Sequence, residues 1–381
     1  MKISTGMMAA ILFAAQAAPA QDDAPAYSLI TLRSLGGTAS GASSINDAGW
    51  ISGLSTLAGD QIVHAALWQQ GKSIDLGALG GPGVNSAVAW PNHAARAVVG
   101  ISETSTVDPL GESWSCAAFM PTTGHTCVGF VWRDGAMTPL PTLGGNNGYA
   151  AGANASGHVA GWAETSFHDP TCIGNQVLGF EAVVWGPAKN QLQPLRPLLG
   201  DSASAATAIN DNGQVVGISG TCYAAVGASS AKHAVLWENG APTDIGNLGG
   251  IAWNTPAAIN QRGQVVGFSD LPGDGPRNPN FHAFLWTRQT GIQDLKTLPG
   301  DVISLAFGIN DQGQVVGQSI GSRGSRAFLY QGGTMTDLNA LVPPGSPLLI
   351  YANDVNDSGE IVGQAFDPGT GDFVAFVAVP R

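Results

Sequence analysis

An all-β chain closing into a seven-bladed β-propeller of four-stranded blades is predicted by three observations: a recurring turn phrase, short apolar runs between tight turns, and chain ends that complement each other. The phrase is clearest in Ala258-Ile259-Asn260-Gln261-Arg262-Gly263-Gln264-Val265-Val266-Gly267 and returns in Gly308-Ile309-Asn310-Asp311-Gln312-Gly313-Gln314-Val315-Val316-Gly317. Its asparagine recurs at Asn46, Asn154, Asn210, Asn260, Asn310 and Asn356, and the gap between the first two leaves room for one degenerate copy near Trp90-Pro91-Asn92, making seven units.

Each unit reads as four strands. An Ala-rich strand ends in Ile-Asn; a Gln-Val-Val-Gly strand follows; then come an apolar strand such as His282-Ala283-Phe284-Leu285-Trp286 and a fourth such as Ile245 to Leu248. Asn-Asp-x-Gly joins the first pair, and turns such as Glu238-Asn239-Gly240 join the second; both supply residues that tolerate φ > 0 in a hairpin. Small side chains dominate the first strand, as in Ala205-Ala206-Thr207-Ala208, which suits an inner strand crowding an axis. Tyr27 to Leu35 match a fourth strand before the first complete unit, whereas the last unit stops after its third strand at Phe373 to Val379. A ring closes when the N-terminal strand pairs with the C-terminal blade, removing exposed edges; an open solenoid needs capping units, and none is evident.

Composition agrees. With 53 Gly, 23 Pro, 11% charged and 44% hydrophobic residues, the chain is too apolar for disorder and too glycine-rich for a helical protein. A net charge of -12 opposes nucleic-acid or anionic-membrane partners. Lys2, the apolar stretch Met7 to Ala15 and Ala18-Pro19-Ala20 read as a signal peptide over 1–20, cleaved after Ala20, with residues 21–381 as one domain; an uncut anchor is the alternative. The expected product is a monomer, secreted to the periplasm or beyond, with no membrane insertion. Its four cysteines then form disulfides: three connectivities exist, of which Cys116 to Cys127 and Cys172 to Cys222 are preferred, the first closing a short loop and the second joining equivalent loops of neighbouring units.

The phrases His282-Ala283-Phe284-Leu285-Trp286, Ile309-Asn310-Asp311-Gln312-Gly313-Gln314-Val315-Val316-Gly317 and Asp244-Ile245-Gly246-Asn247-Leu248-Gly249-Gly250 resemble the HAF-repeat bacterial extracellular proteins, over nearly the whole mature chain. The resemblance implies export and repeat architecture without an activity. The chain departs from that pattern around Asn92 to Arg96, and where Val374-Ala375-Phe376 replaces the tripeptide.

Chain order puts the longer loops, Glu103 to Cys127, Glu164 to Gly179, Gly220 to Lys232 and Asp270 to Asn280, on one face with all four cysteines, making it the expected binding face. Gly317-Gln318-Ser319-Ile320-Gly321 matches a nucleophile elbow, but Ser219 and Ser269 occupy equivalent positions, so it reads as repeat grammar. His64, His233 and His282 share one repeat position, with Glu181 and Arg326 in others, which points to a strand-end hydrogen bond rather than metal ligation. Asp47, Asp211, Asp311 and Asp357 read as turn formers bonding nearby amides, and the loop carboxylates Asp108, Asp169, Asp270 and Asp274 show no calcium-loop spacing. The candidate binding residues are Trp253 beside Asn254 and Tyr351 beside Asn353, singular aromatic and amide pairs entering the inner strands. No catalytic residue, metal or cofactor is expected. The leading expectation is a non-enzymatic module for a glycan, peptide or cell-surface partner; an extracellular polysaccharide hydrolase or lyase, and a structural envelope component, are the alternatives.

Overall fold

The computed structural model describes residues 26–91, 96–112, 114–223, 227–273 and 280–381. The expected leader, the degenerate turn at Asn92 and the loop carboxylate Asp274 lie outside the described residues. Among the described residues regular structure is nearly all strand, with single helical turns at Trp114–Ala117 and Leu338–Ala340.

Five sheets have four strands each, paired in chain order as antiparallel meanders: 86–139 (unit 2), 144–195 (unit 3), 203–244 (unit 4), 255–296 (unit 5) and 301–337 (unit 6). An eight-stranded sheet holds 36–75 (unit 1), 348–380 (unit 7) and Tyr27–Thr31. Tyr27–Thr31 lies antiparallel to Phe373–Pro380, in register from Tyr27 opposite Pro380 to Thr31 opposite Phe376. One parallel bridge, Ala39 to Phe373, joins unit 7 to unit 1.

The repeated asparagine builds the first hairpin of each unit where that hairpin is described. Asn260 Oδ1 accepts from the amides of Arg262 (3.1 Å) and Gln264 (2.9 Å), and Gly263 closes the turn at φ +72°, a conformation costly for any residue with a Cβ. Its other end reaches the next unit: Asn154, Asn210, Asn260 and Asn310 Nδ2 donate to the carbonyls of Asn210, Asn260, Asn310 and Asn356 at 3.0–3.1 Å. Asn356 Nδ2 donates in the same sense to Asn46 O across the chain ends, at 3.4 Å.

The adjacent aspartates correct an expectation. Among the described residues their bonds run between units rather than within the turn: Asp211, Asp311 and Asp357 each accept a backbone amide from the preceding unit, and Asp47 accepts one from unit 7. Asp211 takes Ala155 N (2.7 Å), Asp311 takes Gln261 N (2.8 Å), Asp357 takes Asp311 N (2.8 Å) and Asp47 takes Asp357 N (2.9 Å). Asparagine already satisfies the local amides, which leaves the carboxylate to pair with an edge donor next door.

The core lies between neighbouring sheets. Val216 and Leu236 of unit 4 pack with Ile259, Val265 and Phe284 of unit 5, all buried, because the middle strands are covered on both faces. Phe284 has its counterparts in the fully buried Phe130, Phe328 and Phe376.

Both expected disulfides are present. Cys116–Cys127 ties the single helical turn to its strand, and Cys172–Cys222 ties the long loop of unit 3 to that of unit 4. The second is reinforced by Ile173 N donating to Tyr223 O (2.7 Å) and Tyr223 N to Thr171 O (3.1 Å). Two disulfides fit an extracellular or periplasmic protein, and among the described residues no helix is long and apolar enough to cross a membrane. Replacing Cys172 and Cys222 together by serine is expected to lower stability by about 2–4 kcal/mol. Denaturant titration of the oxidised wild type and the double variant measures it; coincident midpoints would show that the backbone bridge alone suffices.

Candidate functional site

On the long-loop side, a cavity of about 540 Å³ opens among the inner strands of units 1, 2, 6 and 7 and the loop carrying Ala118 and Phe119. Its geometry comes from a repeated β-bulge. The inner strand slips by one residue against its partner between Ala42 and Ser44, Ala150 and Gly152, Ala206 and Ala208, Pro256 and Ala258, Ala306 and Gly308, and Ala352 and Asp354. The extra residue re-aims its side chain. At four of these bulges it is small: Ser43, Ala151, Thr207 and Ala257; at the other two it is Phe307 and Asn353, and both line the cavity.

Trp90, Phe119, Phe307 and Tyr351 supply the aromatic wall. Trp90 meets Phe307 edge-on at 6.4 Å between centroids, and Phe119 stacks on buried Tyr149 at 4.3 Å, which fixes its ring. Burial pushes the Tyr351 hydroxyl up to about 12, and it stays a donor, given to Gln364 Oε1 at 2.8 Å. Asn353 Nδ2 donates to Ala42 O across the junction of units 7 and 1 (2.8 Å), and Gln318 is anchored at one amide end by Ser325 Oγ (3.1 Å). Among the described residues no charged side chain lines this space.

Of the four residues singled out from sequence, Tyr351 and Asn353 therefore lie at the cavity, whereas Trp253 and Asn254 do not line it. Asn254 is fully buried and its side chain is spent internally: Nδ2 donates to Lys232 O (2.9 Å) and Oδ1 accepts from Ser269 Oγ (2.6 Å). Trp253 meets Phe281 edge-on at 5.9 Å. Phe307 is absent from that set, although a large aromatic at a bulge position otherwise occupied by small or polar side chains is itself a signal.

The other candidates have structural duties. His64, His233 and His282 Nδ1 pair with Asp75 (2.8 Å), Asp244 (3.1 Å) and Asp294 (2.9 Å), each clipping the third strand to the end of the fourth. Arg326 serves the same place, bonding Asp337 (2.6 Å) and Asp301 (2.7 Å). Ser319 is buried; its Oγ donates to Asp301 (2.8 Å) and accepts Leu298 N (3.1 Å), as Ser219 does with Asp201 and Leu198, so the apparent elbow holds a connection. Among the described residues no three His, Cys, Asp or Glu side chains are grouped to hold a metal ion.

The second strands that lead into the long loops do hold buried carboxylates. Glu103 accepts from Asn85 N and Nδ2 and from Thr122 and Thr123. Glu164 accepts from Asn146 N, Asn147 N, Asn147 Nδ2 and Gln176 Nε2. Desolvation, then the nearby Glu112 carboxylate, push Glu164 from 4.5 up to about 7 against those hydrogen bonds. Between these values the folded chain keeps a proton that the unfolded chain has lost, so stability is fully present below pH 4.5 and falls as pH rises towards about 7. Glu164→Gln is expected to flatten that slope in thermal melts from about pH 4 to pH 8; an unchanged slope would assign it to another group.

Two further cavities are less suited to a ligand. One of about 290 Å³ on the tight-turn side is walled by Asp47, Asp211, Asp311 and Asp357, whose carboxylates the clasps above employ. One of about 570 Å³ lies between units 2 and 3, mainly among their outer strands and turns, between Leu140 and Pro187.

No family model matches the chain. No curated protein matches it either. Among solved structures it is similar to the β-propeller domain of the Trilobed protease from Pyrococcus furiosus, whose topology is described as open velcro, at 12% identity and TM-score 0.46, covering 77% of this chain and 79% of that one. It is similar also to Trypanosoma rangeli sialidase at 8% identity and TM-score 0.41, covering 93% of this chain and 60% of that one. Porphyromonas gingivalis dipeptidyl peptidase 4 matches at 9% identity and TM-score 0.34, covering 85% of this chain and 44% of that one.

Proposed function

We propose that this chain is an exported, non-catalytic binding module of the HAF-repeat kind, a closed seven-bladed propeller that takes its ligand in the cavity on the long-loop side. Closure rests on equivalence of contacts. Unit 7 meets unit 1 through the three bonds that neighbouring units use elsewhere: asparagine to carbonyl, amide to aspartate, and a third-strand amide to an inner-strand serine, Ala375 N to Ser40 Oγ at 3.0 Å, matching Ala182 N to Ser204 Oγ at 3.0 Å. The single bridge from Ala39 to Phe373 then links two blades of four strands, with Tyr27–Thr31 completing the last.

The observation that carries the binding reading is the cavity itself. One aromatic ring, Phe307, and one side-chain amide, Asn353, interrupt the small-residue pattern of the described bulges, and both line this cavity, whose volume is within the roughly 300–1,000 Å³ of small-molecule sites. The paired carboxylates of most glycoside hydrolases have no counterpart among the lining residues, which favours binding over hydrolysis.

The test is a ligand-observed NMR screen with a defined probe set of methyl glycosides, indole and N-acetyl amino-acid amides. Wild type is expected to bind members of this set, and Ala118→Trp, which fills the mouth from an exposed position, is expected to abolish binding. Silence throughout, or binding that Ala118→Trp leaves intact, overturns the site; chemical conversion of a bound probe overturns the non-catalytic reading.

A further inference from the structure

We infer that the ligand class of this cavity is a neutral carbohydrate, an inference that rests on the binding reading above. Two features select the class. The wall offers the rings of Trp90, Phe119, Phe307 and Tyr351, and the negative quadrupole of an aromatic face attracts the C–H face of a pyranose ring. The lining also offers two side-chain amides, each anchored at one end and, among the described residues, without a partner at the other. Asn353 gives Nδ2 to Ala42 O and leaves Oδ1 without a partner among the described residues; Gln318 is held on Ser325 Oγ, and its other amide end has none there.

An amide group pre-set in this way matches a hydroxyl, which donates and accepts at once, and its ordering is already complete before binding. An apolar or purely aromatic ligand would cover both amides without pairing them, which disfavours it. An anion would enter a space with no cation among its lining residues, in a chain of net charge -12. A sugar satisfies both the rings and the amides.

The experiment titrates the full mature chain with methyl glucoside, methyl galactoside, methyl mannoside, cellobiose and lactose, and with glucuronate and galacturonate, followed by saturation-transfer NMR and tryptophan fluorescence. At least one neutral sugar is expected to bind. Trp90→Ala and Phe307→Ala are expected to weaken it tenfold or more, and the matching uronate to bind at least tenfold more weakly. Ala118→Trp, at an exposed position, keeps the test decisive where an aromatic variant melts early. If indole or N-acetylphenylalaninamide binds at the Ala118-blocked site while every sugar is silent, the carbohydrate assignment fails and the binding site stands. If no probe binds, both fail. Equal affinity for a uronate overturns neutrality.

Discussion

A chain lacking residues 26–32 is expected to lose cooperative folding, or to melt far below wild type and associate. Those residues make five register pairs with Phe373–Pro380, and Leu32 N donates to Ala375 O at 2.8 Å. Tyr27 is buried, packed in the cluster with Val342, Leu349 and Phe376, and its amide donates to Leu341 O. Losing the burial of one large side chain costs about 1.5–3 kcal/mol. Several ladder bonds, at about 0.5–1.5 kcal/mol each, bring the total above about 5 kcal/mol, comparable to the whole stability of many domains. The deletion also bares the edge of Phe373–Pro380, which invites pairing with a second copy. Thermal melts and size-exclusion chromatography at several concentrations read both effects. A synthetic peptide of residues 26–32 is expected to restore much of the melting temperature. A deletion variant that stays monomeric and melts with wild type would mean that this strand decorates the last blade without completing it.

The four-stranded units were legible in the sequence because their determinants are local and repeated. Gly263 and its counterparts need φ > 0, and Asn260 and its counterparts must bond their own turn, so each unit carries the same short phrase. What one residue does across a boundary was less legible. Asp311 resembles a turn former by spacing alone, yet its carboxylate accepts Gln261 N from the unit before it, a contact between partners 50 positions apart. The half of the candidate site on Tyr351 and Asn353 was found because those side chains break the repeat. Trp253 and Asn254 break it too, but there the irregularity serves a local structure: Asn254 stands where Ser40, Ser86, Ser204 and Ser304 stand in other units, and both of its amide atoms are used. Singularity therefore marks a departure from the repeat without saying whether it faces a ligand or a neighbour. The bulge decides that question, since it determines which inner-strand side chain is re-aimed, and Phe307 becomes visible only when residues are aligned on it.

Gly317→Ala tests the close approach behind that bulge. Gly317 sits in extended backbone, so its need is space rather than a positive φ. A Cβ there would come 1.9 Å from Leu305 O and 2.8 Å from the Phe328 ring, and the carbonyl belongs to the paired inner strand. Backbone cannot swing aside as a flexible side chain can, so the strands must part. Overpacking costs about 1–3 kcal/mol even where side chains adjust, and this collision is expected to exceed about 3 kcal/mol. Gly83→Ala is the matched control: it has no atom within 4 Å of the new methyl group and is expected to melt with wild type. Because Phe307 is the extra residue between Ala306 and Gly308 on the displaced strand, any folded fraction of Gly317→Ala is also expected to lose probe binding in the cavity. The same glycine position recurs as Gly53, Gly100, Gly161, Gly217, Gly267 and Gly363, and at each of them a Cβ would fall within 2.2 Å of a paired-strand carbonyl oxygen. A Gly317→Ala protein that melts with wild type would show that the inner strand yields without cost, and the bulge could then no longer be held to fix where Phe307 points.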